Sequence, residues 1–330
     1  MPFIEKIKHI LLKKLIYCDI IYNHGGYMYT KNTEELIEYL KNYKLEYKDQ
    51  IGGLDLPFGC EIEFENVSQE LIRRKLSILF AKQNISNWHL ESDSSLNDYK
   101  NKDYNRNIYG GEVISPVLWD RKEDWMQLKQ ICELLKDNNA KNLGKSAAHI
   151  HFDSTIFKDY DQIIRILKLW CVYEDVIYRF SSGFDEYLRP VVQQYAMPCG
   201  NKFRSLINSV YAADYEKLKR NLKIAKTYGI SFFHMDEYNK DTIEIRTPNG
   251  TLDEAVWQNN VNFFKHLLTS TLSEQKDWDL IDHYINSYDY SYYQFKNYEN
   301  LNIQKAIELC DFIFEEEKDK FNFIKQYVKQ

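Results

Sequence analysis

The 330-residue chain is 44% hydrophobic, enough for a substantial core, and its 43 Lys+Arg against 49 Asp+Glu leave a net charge of −6 with no long basic block. That balance lacks the electrostatic footprint of a nucleic-acid binder, so no nucleic-acid partner is expected. The six cysteines (Cys18, Cys60, Cys132, Cys171, Cys199 and Cys310) form no C-x-x-C pair and sit mostly among apolar neighbours, which excludes a disulfide scaffold and suits buried thiols in a reducing, cytoplasmic setting.

In chain order, MPFIEKIKHILLKKLIYCDIIY places Phe3, Ile4, Ile7, Ile10, Leu11 and Leu15 at helical spacing beside a basic face. Glu5, Lys6, Lys8, His9, Lys13 and Lys14 interrupt it, so it is neither a signal peptide nor a span of the ~20 apolar residues a membrane helix needs. Packing on the rest of the protein is the plainer reading; lying on a membrane surface is the other. A charged, Tyr-rich stretch then leads through Gly52, Gly53 and Pro57 to FGCEIEFE, the first strong strand signal. Residues 1–56 therefore read as a helical N-terminal extension.

Next come a helix in VSQELIRRKLSILFAKQ, a strand running into a turn in NWHLESDSSL, and a strand opened by a glycine pair in YGGEVISPVLW. A helix over about 120–138 carries Trp125, Leu128, Ile131, Leu134 and Leu135, and AAHIHFD is again a strand. Helices over about 160–180 and 202–227 precede two strands, ISFFHM and DTIEIRT. Helices over about 253–275 and 301–328 follow, with a Tyr-rich stretch, HYINSYDYSYYQFKNYEN, between them. The pattern is α+β: a catalytic-size unit over 57–275 and a C-terminal helical extension over 276–330.

Alternate residues of a strand share a face. One face therefore collects Glu61, Glu63 and Glu65 in EIEFE, another His149, His151 and Asp153 in HIHFD, and a third Glu244 and Arg246 in TIEIR, each backed by apolar residues. An ordinary wet sheet face is the alternative, but such faces mix Thr, Ser, Lys and Gln, whereas these are almost purely ionisable. Carboxylates and neutral imidazole suit a hard divalent cation, and a nearby arginine suits phosphate. Glu112 and Asp93, at strand ends, are further candidate ligands, with Gly110 and Gly111 allowing close approach of backbone to a ligand.

The ordered segments FGCEIEF, ESDSSL, GGEVISPVL, AAHIHFD and TIEIRTPNGTLD resemble the type 2 amidoligases, relatives of glutamine synthetase and glutamate-cysteine ligase, over about residues 57–275. The resemblance implies a curved antiparallel sheet with helices on its convex side. Its concave face would hold ATP and two or more Mg²⁺ ions, or Mn²⁺ in their place. The implied reaction activates a carboxylate as an acyl phosphate, which an amine attacks to give an amide. Small molecules or peptides would supply carboxylate and amine, with a protein acceptor a further candidate.

Carried over by position, Glu61, Glu63, Glu112, His149 and Glu244 are the metal set. His151 faces nucleotide phosphate or substrate, Arg246 faces the transferring phosphoryl group, and Asp93 orients the amine or a metal-bound water. Arg189 is a secondary candidate for phosphate or a substrate carboxylate, a surface residue closing a helix being the plainer reading. Two departures stand out: GKSAAH replaces the family's cysteine-glycine lead into the histidine strand, and His234 in SFFHMDE takes the place of an asparagine. The competing functions are a phosphagen-type kinase, a non-catalytic nucleotide- or peptide-binding protein on the same fold, and a metal-dependent hydrolase. The last is disfavoured by the excess of acids and the lack of an H-E-x-x-H helix.

Overall fold

A computed structural model of the chain describes residues 37–83, 87–93, 95–96, 109–185, 187–208, 215–223, 226–238, 240–287, 298 and 300–329. The amphipathic segment expected over the first 22 residues, Cys18 within it, and most of the Tyr-rich stretch lie outside these residues. Among the described residues no helix is long and apolar enough to cross a membrane.

Among the described residues the core is a six-stranded, wholly antiparallel sheet, not closed into a barrel, in the order β2-β3-β1-β4-β6-β5. Its strands are β1 (Phe58–Ser68), β2 (His89–Glu91), β3 (Tyr109–Ile114), β4 (Ala148–Asp153), β5 (Ile230–Ser231) and β6 (Thr242–Ile245). The α+β class read from the sequence is the class observed. Between and after the strands lie α1 (Gln69–Gln83), α2 (Lys122–Asp137), α3 (Tyr160–Ser181), α4 (Val192–Tyr195), α5 (Gly200–Ile207), α6 (Tyr215–Leu222), α7 (Glu254–Ser270), α8 (Trp278–Ser287), α9 (Ile303–Ile313) and α10 (Glu317–Val328).

The alternation in the strands sets which side is packed. Ile62, Phe64, Val113, Ile150, Phe152, Ile243 and Ile245 point to one face and are fully buried, each large side chain contributing about 1.5–3 kcal/mol through its removal from water. Trp125 of α2 stacks on Phe58 at 5.0 Å between ring centroids, and α7 packs on β4. Asp253 caps α7 by accepting from the Ala255 and Val256 amides, and Asp159 caps α3 by accepting from that of Gln162.

Several boundaries differ from those read in the sequence. The ISFFHM segment is a strand only at Ile230–Ser231; Phe232 and Met235 are buried in a turn, where Asp236 takes a positive φ of 60°. The helix expected over 202–227 is two, α5 and α6, with Asn208 as the C-cap of α5. The helix expected over 301–328 is broken by Phe314, whose extended backbone separates α9 from α10. Within the part of the N-terminal extension that is described, the chain is helical over 37–41 and without helix over 42–56. The five described cysteines are free and buried.

Candidate active site

Strand register brings the ionisable residues together, because residues directly opposite in an antiparallel pair share a face. Glu63 of β1 lies opposite Glu112 of β3, which on its other side faces Glu91 of β2. Glu61 lies opposite His149 of β4, and His151 opposite Glu244 of β6. The face opposite the apolar one thus carries Glu61, Glu63, Glu91, Glu112, His149, His151 and Glu244, with Arg246 just beyond β6.

These side chains form two groups whose ligand atoms lie within 4.8 Å of one another: Glu61, His151 and Glu244, and separately Glu63, Asp93 and Glu112. His149 lies between them. Its Nδ1 is 3.0 Å from Glu61 Oε2, 3.6 Å from Glu63 Oε1 and 3.8 Å from Glu244 Oε1. The second imidazole approaches the other oxygen of the same carboxylate, His151 Nε2 being 3.0 Å from Glu61 Oε1. Arg246 donates through Nη1 to Glu244 and through Nε to the Tyr195 carbonyl at 2.8 Å. His149, Glu63 and Glu244 are almost inaccessible, at 7%, 4% and 5% side-chain exposure, while Glu61 and His151, at 23% and 21%, face the opening.

Burial and neighbouring charge act on each carboxyl differently. Burial would raise Glu61, but hydrogen bonds to His149 and His151, and their charge, outweigh it and hold the carboxyl well below the usual range. Among the described residues Glu112 has no such partner: burial, then the charges of Glu61, Glu63, Asp93 and Glu91, push it up to about 8. Glu63 is raised by burial, against the opposing pull of His149, Arg189 and the Ala147 amide, which donates to its Oε2 at 2.6 Å. For His151, burial lowers the proton affinity, but the Glu61 hydrogen bond and the charges of Glu244 and Glu61 leave it raised.

Other residues singled out in the sequence hold the frame. Glu65, on the same face as Glu61 and Glu63, accepts at Oε1 from the backbone amides of Leu143, Lys145 and Ser146 at 2.9, 3.1 and 3.1 Å, anchoring the loop into β4. The guanidinium of Arg189, read as a phosphate or carboxylate contact, donates instead to main-chain carbonyls after β6: Arg246 at 2.7 Å, Thr247 at 3.4 Å, and Pro248. Asn249 accepts from the Arg189 amide and donates to Asp185 and the Tyr187 carbonyl. Gly250 has no room for a side chain, since a Cβ there would lie 2.5 Å from Ser146 Oγ. His234 pairs with Glu237 at 2.6 Å in the turn after β5. Gly110 and Gly111 admit protein backbone rather than a ligand, because added Cβ atoms would lie 2.8 Å from the Leu96 carbonyl and 2.9 Å from that of Glu91. Gln69 and Asn249 carried no signal of their own in the sequence, being ordinary polar residues until the chain folds around them.

The donor set fits hard divalent cations: oxygen ligands predominate, each group carries two or three carboxylates, and His149 Nε2 is buried with no hydrogen-bond partner among the described residues. A family model described as "Putative amidoligase enzyme" matches residues 54–268, more than half of the chain and the whole sheet. No curated protein matches it.

Proposed function

This chain belongs to the amidoligase family, and we propose on that premise that it is an ATP- and Mg²⁺-dependent carboxylate-amine ligase of glutamine synthetase-like fold. It would act in the cytoplasm and join a small-molecule, peptide or protein amine to a carboxylate. The observation that carries the proposal is the division of one sheet face into two acidic groups that share His149, with Arg246 beside them.

Glu61, His151 and Glu244 would hold one cation and Glu63, Asp93 and Glu112 the other. Bound cations supply neutralisation of the triphosphate charge. The chain's own part is largely orientation. His149 and His151 grip opposite oxygens of Glu61 and keep it ionised across the working pH range. Glu244 and the Tyr195 carbonyl hold the Arg246 guanidinium at the edge of the face, where it would neutralise charge on the phosphoryl oxygens. The substrate carboxylate attacks the γ-phosphorus and ADP leaves; the amine nitrogen then attacks the acyl carbon, and phosphate leaves as the nitrogen gives up a proton.

The test is incubation with ATP, Mg²⁺ and pools of amino acids, polyamines and peptides, followed by mass spectrometry for two components joined with loss of water. ADP release should require both a carboxylate and an amine. Arg246→Ala should slow it about 100- to 1,000-fold, the scale of losing one charge-stabilising donor, with little change in melting temperature. Equal ADP release with a carboxylate alone would make the protein a kinase, and steady release with neither substrate would sink ligation.

A further inference from the structure

We infer that Gln69 is a positioning residue that clasps together the two chain segments carrying Asp93 and Glu112. The inference rests on the two-cation reading above and assigns a role to a residue outside both acidic groups. Gln69 is the first residue of α1, directly after β1, and is 4% exposed. Its Nε2 donates to the Gly110 carbonyl at 2.6 Å, and its Oε1 accepts from the Ser92 hydroxyl at 2.8 Å. Gly110 stands two residues before Glu112, and Ser92 immediately before Asp93, so one neutral amide spans both approaches to the Glu63 group.

The surrounding chain is built around this amide. A Cβ on Gly111 would lie 3.0 Å from Gln69 Nε2, and Gly110, at a φ of +82°, would drive a Cβ to 2.8 Å from the Leu96 carbonyl. The glycine pair of YGGE therefore clears space for the clasp and for the turn that follows β2. In that turn Asp93 is itself oriented, accepting from the Ser95 amide at 2.7 Å and hydroxyl at 2.8 Å. Something must hold these pieces: β2 is three residues long at the sheet edge, and Glu91, Asp93, Glu63 and Glu112 repel one another. A neutral donor-acceptor side chain does so without adding charge, whereas a glutamate at this position would lose the donor to Gly110 and add a further negative charge.

The experiment is Mn²⁺ titration of the full chain, by calorimetry and by electron paramagnetic resonance of free Mn²⁺. The unaltered protein should bind two ions. Gln69→Met, similar in volume but without hydrogen bonds, should weaken one of them about 10-fold, the low end of what losing an outer hydrogen-bond partner of a ligand costs, because Gln69 holds the ligands' chain neighbours and not the ligands themselves, and should leave the other unchanged. Added to Glu244→Gln, which leaves only the Glu63 group intact, it should weaken the remaining ion; added to Glu112→Gln, it should change nothing further. Equal weakening of both ions, or of neither, overturns the inference, whereas an unaltered protein that binds fewer than two overturns the two-cation reading instead. If Gln69→Met folds poorly, Ser92→Ala decides: the same single-site weakening supports the clasp, and unchanged binding of both ions refutes it.

Discussion

Glu61 and Glu112 are both partly buried acids on one sheet face, yet they titrate in opposite directions because only Glu61 meets imidazoles. The Glu112 value of about 8 lies above the 4.5 of an unperturbed glutamate, so the folded state binds its proton more tightly than the unfolded state. Its contribution to stability is complete below about pH 4.5 and is lost as pH rises through about 8. Glu63 and His151, also raised, act with the same sign, and the depressed Glu61 acts oppositely at the acid end. In chelator, the melting temperature should therefore fall between pH 5 and 9, and Glu112→Gln should flatten part of that slope and melt higher than the unaltered protein at pH 9. Saturating Mn²⁺ should remove the difference, since cations bind the ionised carboxylates. An unchanged slope in Glu112→Gln would contradict this account of the residue.

At the scale of elements, β1 and β4 depend on the loop between α2 and β4, which Glu65 fastens through three amides on one oxygen. Glu65→Ala leaves those amides without their acceptor and should cost about 1–3 kcal/mol or more in urea denaturation, whereas Glu65→Gln keeps an acceptor oxygen and should recover most of the loss. Equal stability of the two variants would show that water satisfies the loop. Alternation alone cannot separate Glu65 from Glu61 and Glu63: all three share a face, and only the path of a distant loop decides which one is consumed by backbone. The same limit explains Arg189, whose partners are carbonyls close in space but far along the chain. The charged faces of EIEFE, HIHFD and TIEIR, their apolar backs and the helix over Trp125 and Leu128 were legible because period and composition are local properties. The stop of β5 after Ser231 was not, because Phe232 and Met235 find burial in a turn that no periodicity announces.

The whole molecule is closed by the segments outside the sheet, and α7 is where they meet. Gln258, Asn259, Asn260, Asn262 and Lys265 would ordinarily mark a solvent face, yet all are buried. Asn259 donates to Gln326 and to the Asn322 carbonyl of α10, and Gln326 in turn donates to Asn260 and the Phe180 carbonyl. On the other side the strap before β1 is held by main-chain contacts: Asp120 accepts from the amides of Ile51 and Gly52, and Lys265 donates to the Gly52 carbonyl at 2.6 Å. Gln258 accepts from the Lys48 amide at 2.7 Å and donates to the Lys48 carbonyl at 2.8 Å, pairing with one residue's backbone as a neighbouring strand would. Gln258→Leu keeps the volume but orphans both groups, so it should lower the free energy of unfolding by about 1–3 kcal/mol and accelerate hydrogen exchange at the Lys48 amide. Mn²⁺ affinity should hold, because α7 packs on β4 from the apolar side while the acidic groups occupy the opposite face. Unchanged exchange at Lys48 would mean that Asp120 and Lys265 hold the strap unaided, and a loss of Mn²⁺ binding would mean that the two sides of the sheet are coupled through β4.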